Sequence, residues 1–149
     1  MLVVVSIIGI LAALATVSFT STQKQARDTQ RKSDLKQYQN SLEAFANKNN
    51  GLYPGFSNGV QASGALCTSL ALSNCPEDPK FKTDSSYYYH YRSDGTAING
   101  TAVATQYVLW SKLENVSGMY WVVCSTGSSG KISSSNTFTG GVCPAGLTQ

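Results

Sequence analysis

Residues 1–19, MLVVVSIIGILAALATVSF, contain no charged side chain, and residues 21–34, STQKQARDTQRKSD, follow almost at once. In the first stretch the only polar side chains are those of Ser6, Thr16 and Ser18. About 20 apolar residues are enough for a helix to cross a bilayer. The pattern therefore predicts a membrane-spanning helix. A buried core helix or a signal peptide is the alternative, although a signal core of about 7 to 15 residues ends in a cleavage site that this sequence matches only loosely.

The helix is expected to continue past the apolar stretch. No Gly or Pro occurs between Gly9 and Gly51, and residues 23–48 are rich in Gln, Lys, Arg, Ala, Leu and Glu. These residue types favour helices, so we expect one continuous helix of about 48 residues, some 70 Å long at about 1.5 Å per residue. Asn50 and Gly51, followed by Pro54, are typical of a helix end.

The second half of this helix carries an apolar stripe at steps of three and four residues, formed by Leu35, Tyr38, Leu42 and Phe45. Such a stripe must be covered by another element. Strand patterns occur at 85–98, 105–114 and 119–125, and Asp94-Gly95 within the first predicts a tight hairpin turn. We therefore expect an α+β fold, in which a long N-terminal helix packs on a three- to four-stranded antiparallel sheet.

The chain is expected to have three parts. Residues 1–22 form the hydrophobic half of the helix, and residues 23–50 form its amphipathic half. Residues 51–149 form a globular head, which contains a loop region, the sheet and a polar tail at 125–149. At 149 residues the chain is long enough for one modest hydrophobic core.

Four cysteines, Cys67, Cys75, Cys124 and Cys143, match no zinc-binding spacing. An even number of cysteines beside a membrane segment indicates disulfides and an oxidising compartment. Three connectivities are possible, and the local one joins Cys67 to Cys75 and Cys124 to Cys143. The second bond would close the C-terminal tail onto the sheet.

The sequence offers little for catalysis. The only histidine, His90, alternates with Tyr89 and Tyr91 on a strand pattern and is expected to pack rather than to act as a base. Four acidic residues are expected to be solvated turn residues: Glu77, Asp78, Asp84 and Asp94. We expect no enzymatic activity, no cofactor and no metal site. A net charge of +3 is too small to indicate specific nucleic-acid binding.

The sequence LVVVSIIGILAALA, followed by ARDTQRKSDLKQYQNSLEAFANKNNGLYP, resembles the N-terminal helix of type IV pilins and the related secretion pseudopilins. The resemblance covers residues 1 to about 54 closely and the remainder only in outline. It implies a subunit that is held in the inner membrane, processed by a prepilin peptidase, and stacked by an assembly platform into an extracellular helical homopolymer. The filament core would be formed by Leu2, Val3, Val4, Val5, Ile7, Ile8, Ile10, Leu11 and Leu14.

Two departures from this family pattern matter. The cleavage glycine and the short stretch ending in glutamate that should precede LVVV are absent, and a proline often found along the helix is replaced near Val17. Lys24, Arg27, Arg31 and Lys32 follow the apolar stretch, so the positive-inside tendency would place the cysteines in the cytoplasm. A basic leader before the span would remove this conflict. We therefore expect Met1 to be internal, with about five further mature residues ending in glutamate and a methylated N-terminus, as the resemblance implies.

The resemblance favours the major structural subunit of a type IV pilus, a filament used in cell adhesion. The alternative within the same family is the major pseudopilin of a type II secretion or DNA-uptake system. The pilus is favoured because major pseudopilins typically use a calcium loop near the C-terminus, whereas no acidic residue follows Glu114 here. An alternative of another class is a membrane-anchored extracellular binding domain.

Overall fold

The structure is a computed structural model that describes residues 2–133 and 138–149, with only the backbone of residues 13–18. Its first element, helix α1, spans Leu2–Lys48 without interruption, which confirms the predicted continuous helix. Asn50 and Gly51 then adopt left-handed conformations, with φ of 55° and 80°. The Gly51 N–H donates to the Ala46 carbonyl at 2.8 Å, so the helix ends with a glycine cap, as predicted.

In the described residues, seven short strands follow α1. Their bounds are β1 Tyr53–Pro54, β2 Val60–Gln61, β3 His90–Ser93, β4 Ala102–Ala104, β5 Tyr107–Lys112, β6 Met119–Cys124 and β7 Ser129–Ser133. A helical segment at Ala62–Leu66, kinked at Gly64, and the short helix α2 at Cys67–Ser69 lie between β2 and β3. Strands β1 and β4 form a two-stranded sheet, and the others form a five-stranded antiparallel sheet in the order β2-β3-β5-β6-β7. The α+β architecture is confirmed, but the predicted count of three to four strands is wrong.

Strand β7 lies in the tail that the sequence predicts to be a polar loop. It pairs with β6 over five positions, from Met119↔Ser133 to Val123↔Ser129. Its sequence, SGKIS, contains only one β-branched residue, Ile132, and no aromatic residue, which is a weak indication of a strand. The strand forms because β6, which is strongly β-favouring, offers an edge of unpaired backbone groups.

The predicted hairpin turn at Asp94-Gly95 is wrong, because β3 pairs with β5 and not with the residues that follow Gly95. The Asp94 carboxylate instead accepts hydrogen bonds from the N–H groups of Thr105, at 2.8 Å, and Gln106, at 3.0 Å. These bonds close a longer loop that contains β4. An aspartate that binds across a loop in this way replaces the local turn that the dipeptide normally favours.

The main core lies between α1 and one face of the five-stranded sheet. Leu35, Tyr38 and Leu42 are fully buried. They belong to the same cluster as four inward-facing strand residues, Tyr91, Tyr107, Leu109 and Val123. The predicted cover of the helix stripe by the sheet is therefore confirmed. The stripe differs at its end, where Phe45 is half-buried and Ala46 is buried.

A second core cluster lies on the opposite face of the sheet, beneath the C-terminal tail. Its buried members are Val108, Val122, Cys124, Ile132 and Phe138. The tail is held there by the Cys124–Cys143 disulfide and by an antiparallel bridge between Lys131 and Thr148. The bridge also pairs part of the outer edge of β7, which reduces the exposed edge available to other chains.

Candidate functional site

The N-terminal part of α1 presents large apolar side chains to solvent. Every described side chain from residue 2 to residue 26 is exposed, and the first buried residue of the helix is Asp28. The exposed fractions of eight apolar side chains lie between 52% and 88%: Leu2, Val3, Val4, Val5, Ile7, Ile8, Ile10 and Leu11. They occupy almost every position of nearly three turns, so the apolar surface surrounds the helix. Leu14, which is also predicted to lie in the filament core, has a side chain outside the described residues.

This apolar surface is unusual for a chain in water. Fully burying a Val, Leu or Ile side chain stabilises by about 1.5–3 kcal/mol, so burying the eight together is worth on the order of 10 kcal/mol. The Ser6 hydroxyl does not interrupt the surface, because it donates to the Val3 carbonyl at 2.8 Å. An exposed apolar patch of this extent marks a surface that contacts another partner.

The membrane span predicted from residues 1–19 is not confirmed by the structure. Over the described part of the chain, no helix is both long and apolar enough to cross a membrane.

A buried charge cluster joins α1 to the head immediately after the exposed segment. Arg31 is fully buried, and its Nε and Nη2 atoms donate to the two carboxylate oxygens of Asp78 at 2.7 and 2.8 Å. Its Nη1 atom donates to Asp28 at 2.8 Å, and Nη2 also lies 2.7 Å from a carboxylate oxygen of Glu114. Arg27 donates two hydrogen bonds to Glu114, at 2.8 and 2.7 Å. We call these five residues the Arg31 cluster.

The Arg31 cluster connects three separate parts of the chain. Arg27, Asp28 and Arg31 lie on α1, Asp78 lies in the loop after α2, and Glu114 follows β5. The N–H groups of Glu114 and Asn115 also donate to Asp28, at 2.9 and 2.8 Å. Because the carboxylates and guanidinium groups bind one another and the backbone, the cluster fixes the head at a defined height along α1.

The pKa values in the cluster follow from these contacts. The hydrogen bond from Arg27, aided by Arg31, lowers the pKa of Glu114 to about 2 despite opposing burial. Burial by itself would lower the pKa of Arg31, but its hydrogen bonds to Asp78, Glu114 and Asp28 raise it above its usual value. Glu114 and Arg31 are therefore both charged at neutral pH, as the geometry requires.

The sequence prediction that Asp78 is a solvated turn residue is wrong, because Asp78 is only 4% exposed. The sequence does contain an indication of this cluster, which the prediction missed. Asp28 and Arg31 precede Leu35 at steps of three and four, which continues the buried stripe of α1 toward its N-terminus. A charged pair in register with an apolar stripe indicates a buried ion pair when another element supplies the opposite charges.

Both disulfides have the predicted local connectivity. Cys67 and Cys75 are joined with a Cα–Cα distance of 5.9 Å, and Cys124 and Cys143 with one of 5.5 Å. The first bond ties α2 to the loop that carries Asp78. The second ties the end of β6 to the tail.

The other polar residues considered for chemistry are not brought together. His90 packs between the rings of Tyr88 and Trp110, and burial lowers its pKa to about 4. The Asp84 carboxylate accepts hydrogen bonds from Ser86, and the Asp94 carboxylate accepts them from Thr105 and Gln106, so the two carboxylates have different partners. Within the described residues, no group of His, Cys, Asp or Glu side chains has the arrangement of a metal site.

Comparison with known proteins identifies no relative. No family model matches the chain, and neither a curated protein nor a solved structure matches it significantly.

Proposed function

We propose that this protein is the major structural subunit of an extracellular type IV pilus, which polymerises through the apolar half of α1. The observation that carries the proposal is the exposed apolar surface from Leu2 to Leu11, which projects beyond a fully folded head. The resemblance of residues 1–54 to pilin helices supports the same function.

The physical logic of assembly follows from the two halves of α1. The half that carries Leu35, Tyr38 and Leu42 is already covered by the sheet within one subunit. The half that carries Leu2 to Leu11 has no such cover and is apolar on all sides, which suits a helix surrounded by copies of itself. Because a head-to-tail contact of this kind does not close on itself, it propagates as a fibre.

Before assembly the apolar half would be held in the inner membrane, and the assembly platform would draw it into the growing filament. This part of the proposal rests on the resemblance of residues 1–54 to pilins. The head would then lie on the filament surface, where the two disulfides stabilise it outside the cell.

The proposal is tested by Ile8→Lys in cells that export the protein. Ile8 is 60% exposed on the apolar half of α1, and a lysine there would place a charge inside the bundle at a cost of several kcal/mol. The matched control is Ile98→Lys, because Ile98 is 64% exposed but lies in the head.

We expect electron microscopy of sheared cell surfaces to show filaments for the unchanged protein and for Ile98→Lys, and none for Ile8→Lys. Mass spectrometry should identify this chain as the filament subunit. If Ile8→Lys forms filaments as abundantly as the unchanged protein, the helical-core proposal is wrong.

A further inference from the structure

An open cleft lies on the face of the five-stranded sheet that points away from α1. Its floor is formed by His90, Arg92 and Trp110, which alternate along the strands with residues that face the main core. Residues 58–61 and part of the segment 81–88 form its sides. The volume is about 450 Å³, within the range of roughly 300–1,000 Å³ found for small-molecule sites.

Arg92 gives the cleft a fixed positive charge. Its Nε donates to the Ser57 carbonyl at 2.7 Å, and its Nη1 donates to the Phe138 carbonyl at 2.9 Å. Among the described residues no carboxylate lies within 4.0 Å of this guanidinium, and none that lines the cleft is acidic. Nη2 and the second N–H of Nη1 donate to no other described residue, so this guanidinium can still donate to a carboxylate.

Stacked rings form a rigid part of the cleft floor. The His90 ring lies 3.9 Å from that of Tyr88 and 4.7 Å from that of Trp110, with Trp110 tilted by only 7°. Trp110 in turn stacks on Phe138 at 4.3 Å. Because the rings hold one another in place, a ligand that contacts them binds without the entropy loss of ordering these side chains.

The polar groups that line the cleft are mostly neutral. Asn58, Gln61 and Ser85 each carry groups that donate and accept hydrogen bonds, and the neutral imidazole of His90 offers one of each. A single guanidinium balances the one negative charge of a carboxylate, whereas a phosphate monoester carries close to two negative charges. Neutral groups that both donate and accept match hydroxyl groups, which do the same.

We propose that the cleft binds the carboxylate-bearing sugar of an acidic glycan, with the Arg92 guanidinium on the carboxylate and the neutral side chains on the sugar hydroxyls. The edges of the stacked rings, whose faces cover one another, contact the C–H surface of the sugar ring. The cleft contains no residue of the apolar half of α1, so glycan binding and assembly are separable properties of the chain.

The test uses the full chain in detergent micelles and measures binding by calorimetry. The acidic probes are methyl β-glucuronide and the methyl glycoside of N-acetylneuraminic acid, and the neutral probe is methyl β-glucoside. We expect at least one acidic probe to bind about 10-fold more tightly than the glucoside, which corresponds to about 1.4 kcal/mol.

Three variants test whether the acidic probe binds in the cleft. Arg92→Gln should reduce the affinity for the acidic probe to that for the glucoside. Asn58→Asp, at an exposed position on the rim, adds a negative charge without altering the core, and should weaken binding of the acidic probe by a larger factor than binding of the glucoside. Lys24→Gln removes one positive charge from the exposed part of α1, and should leave binding unchanged.

Several results would overturn the proposal. One is that neither acidic probe binds, or that both bind no better than the glucoside. Another is that N-acetylalanine, a carboxylate without a sugar ring, binds as tightly as the acidic sugars, which would indicate a peptide C-terminus as the ligand. If Arg92→Gln fails to fold, as judged by its melting curve, unchanged binding of the acidic probe to Asn58→Asp would overturn the proposal by itself.

Discussion

Replacing Arg31 by Met is expected to destabilise the head severely, although it removes a charge and adds an apolar side chain. Arg31 is fully buried, and the carboxylate of Asp78 that it binds is fully buried as well. Without Arg31 the Asp78 carboxylate has lost its ion pair in an environment that water does not reach. The cost of breaking a buried ion pair from one side therefore exceeds the gain from the apolar methionine.

The expected loss of stability on Arg31→Met follows from the number of contacts that Arg31 makes and from their burial. Removing one partner of a buried pair costs about 3–5 kcal/mol, which is a large part of the roughly 5–15 kcal/mol by which a domain is stable. Arg27 is the matched control, because it binds the same cluster but its side chain is 30% exposed. We expect Arg27→Met to cost only about 1 kcal/mol, since water screens its pair with Glu114.

Thermal denaturation of a fragment that begins at Gln23, with both disulfides intact, measures these costs. We expect the melting temperature of Arg31→Met to fall by roughly 10 to 20 °C. The double variant Arg31→Met/Asp78→Asn should recover part of the loss, because it leaves no unpaired charge on Asp78. If Arg31→Met costs no more than Arg27→Met, or if the double variant is less stable than Arg31→Met, the cluster is not what fixes the head to the helix.

Three further changes test separate parts of the structure. Because folding lowers the pKa of Glu114 from 4.5 to about 2, the stabilisation by its charged form is complete above about pH 4.5 and is lost as the pH falls toward 2. Between pH 5 and pH 2, the free energy of unfolding of Glu114→Gln should therefore fall by about 2–3 kcal/mol less than that of the unchanged protein. An equal fall in both proteins would refute this. Replacing Cys124 and Cys143 together by Ser should cost about 2–4 kcal/mol in denaturation experiments and increase hydrogen exchange in the tail, whereas unchanged exchange would show that the bond does not hold the tail. Gly130→Ala would place a Cβ 2.8 Å from the Thr148 carbonyl oxygen, so it should cost about 1–3 kcal/mol and expose the Thr148 amide to exchange, and a fully protected amide would contradict it.

The features that were predicted correctly depend on local sequence. The absence of Gly and Pro after Gly9 determines one long helix, and the Asn50-Gly51 pair ends it because both residues tolerate left-handed backbone conformations. The disulfide pairing was predicted because the two local pairs lie close along the chain. The apolar stripe of α1 required cover, and the apolar face of the predicted sheet could provide it.

The features that were missed depend on partners distant in sequence. Strand β7 has little intrinsic strand preference and forms because the edge of β6 is available to it. The Asp94-Gly95 dipeptide favours a tight turn, but the Asp94 carboxylate binds the backbone at Thr105 and Gln106 and forms a wider loop. In both cases a hydrogen-bonding partner supplied by the fold overrides the local preference.

The sequence by itself therefore determined the length and end of α1, its apolar N-terminal half and the two disulfides, because backbone propensity and short loop closure are local properties. Only the tertiary structure decided that Arg31 and Asp78 are buried together, since a charge is tolerated in the interior only where another part of the chain brings an opposite charge to it. The cleft at Arg92 was likewise decided only by the tertiary structure. Its walls come from β3, β5 and two loops, and no segment of the sequence contains them together.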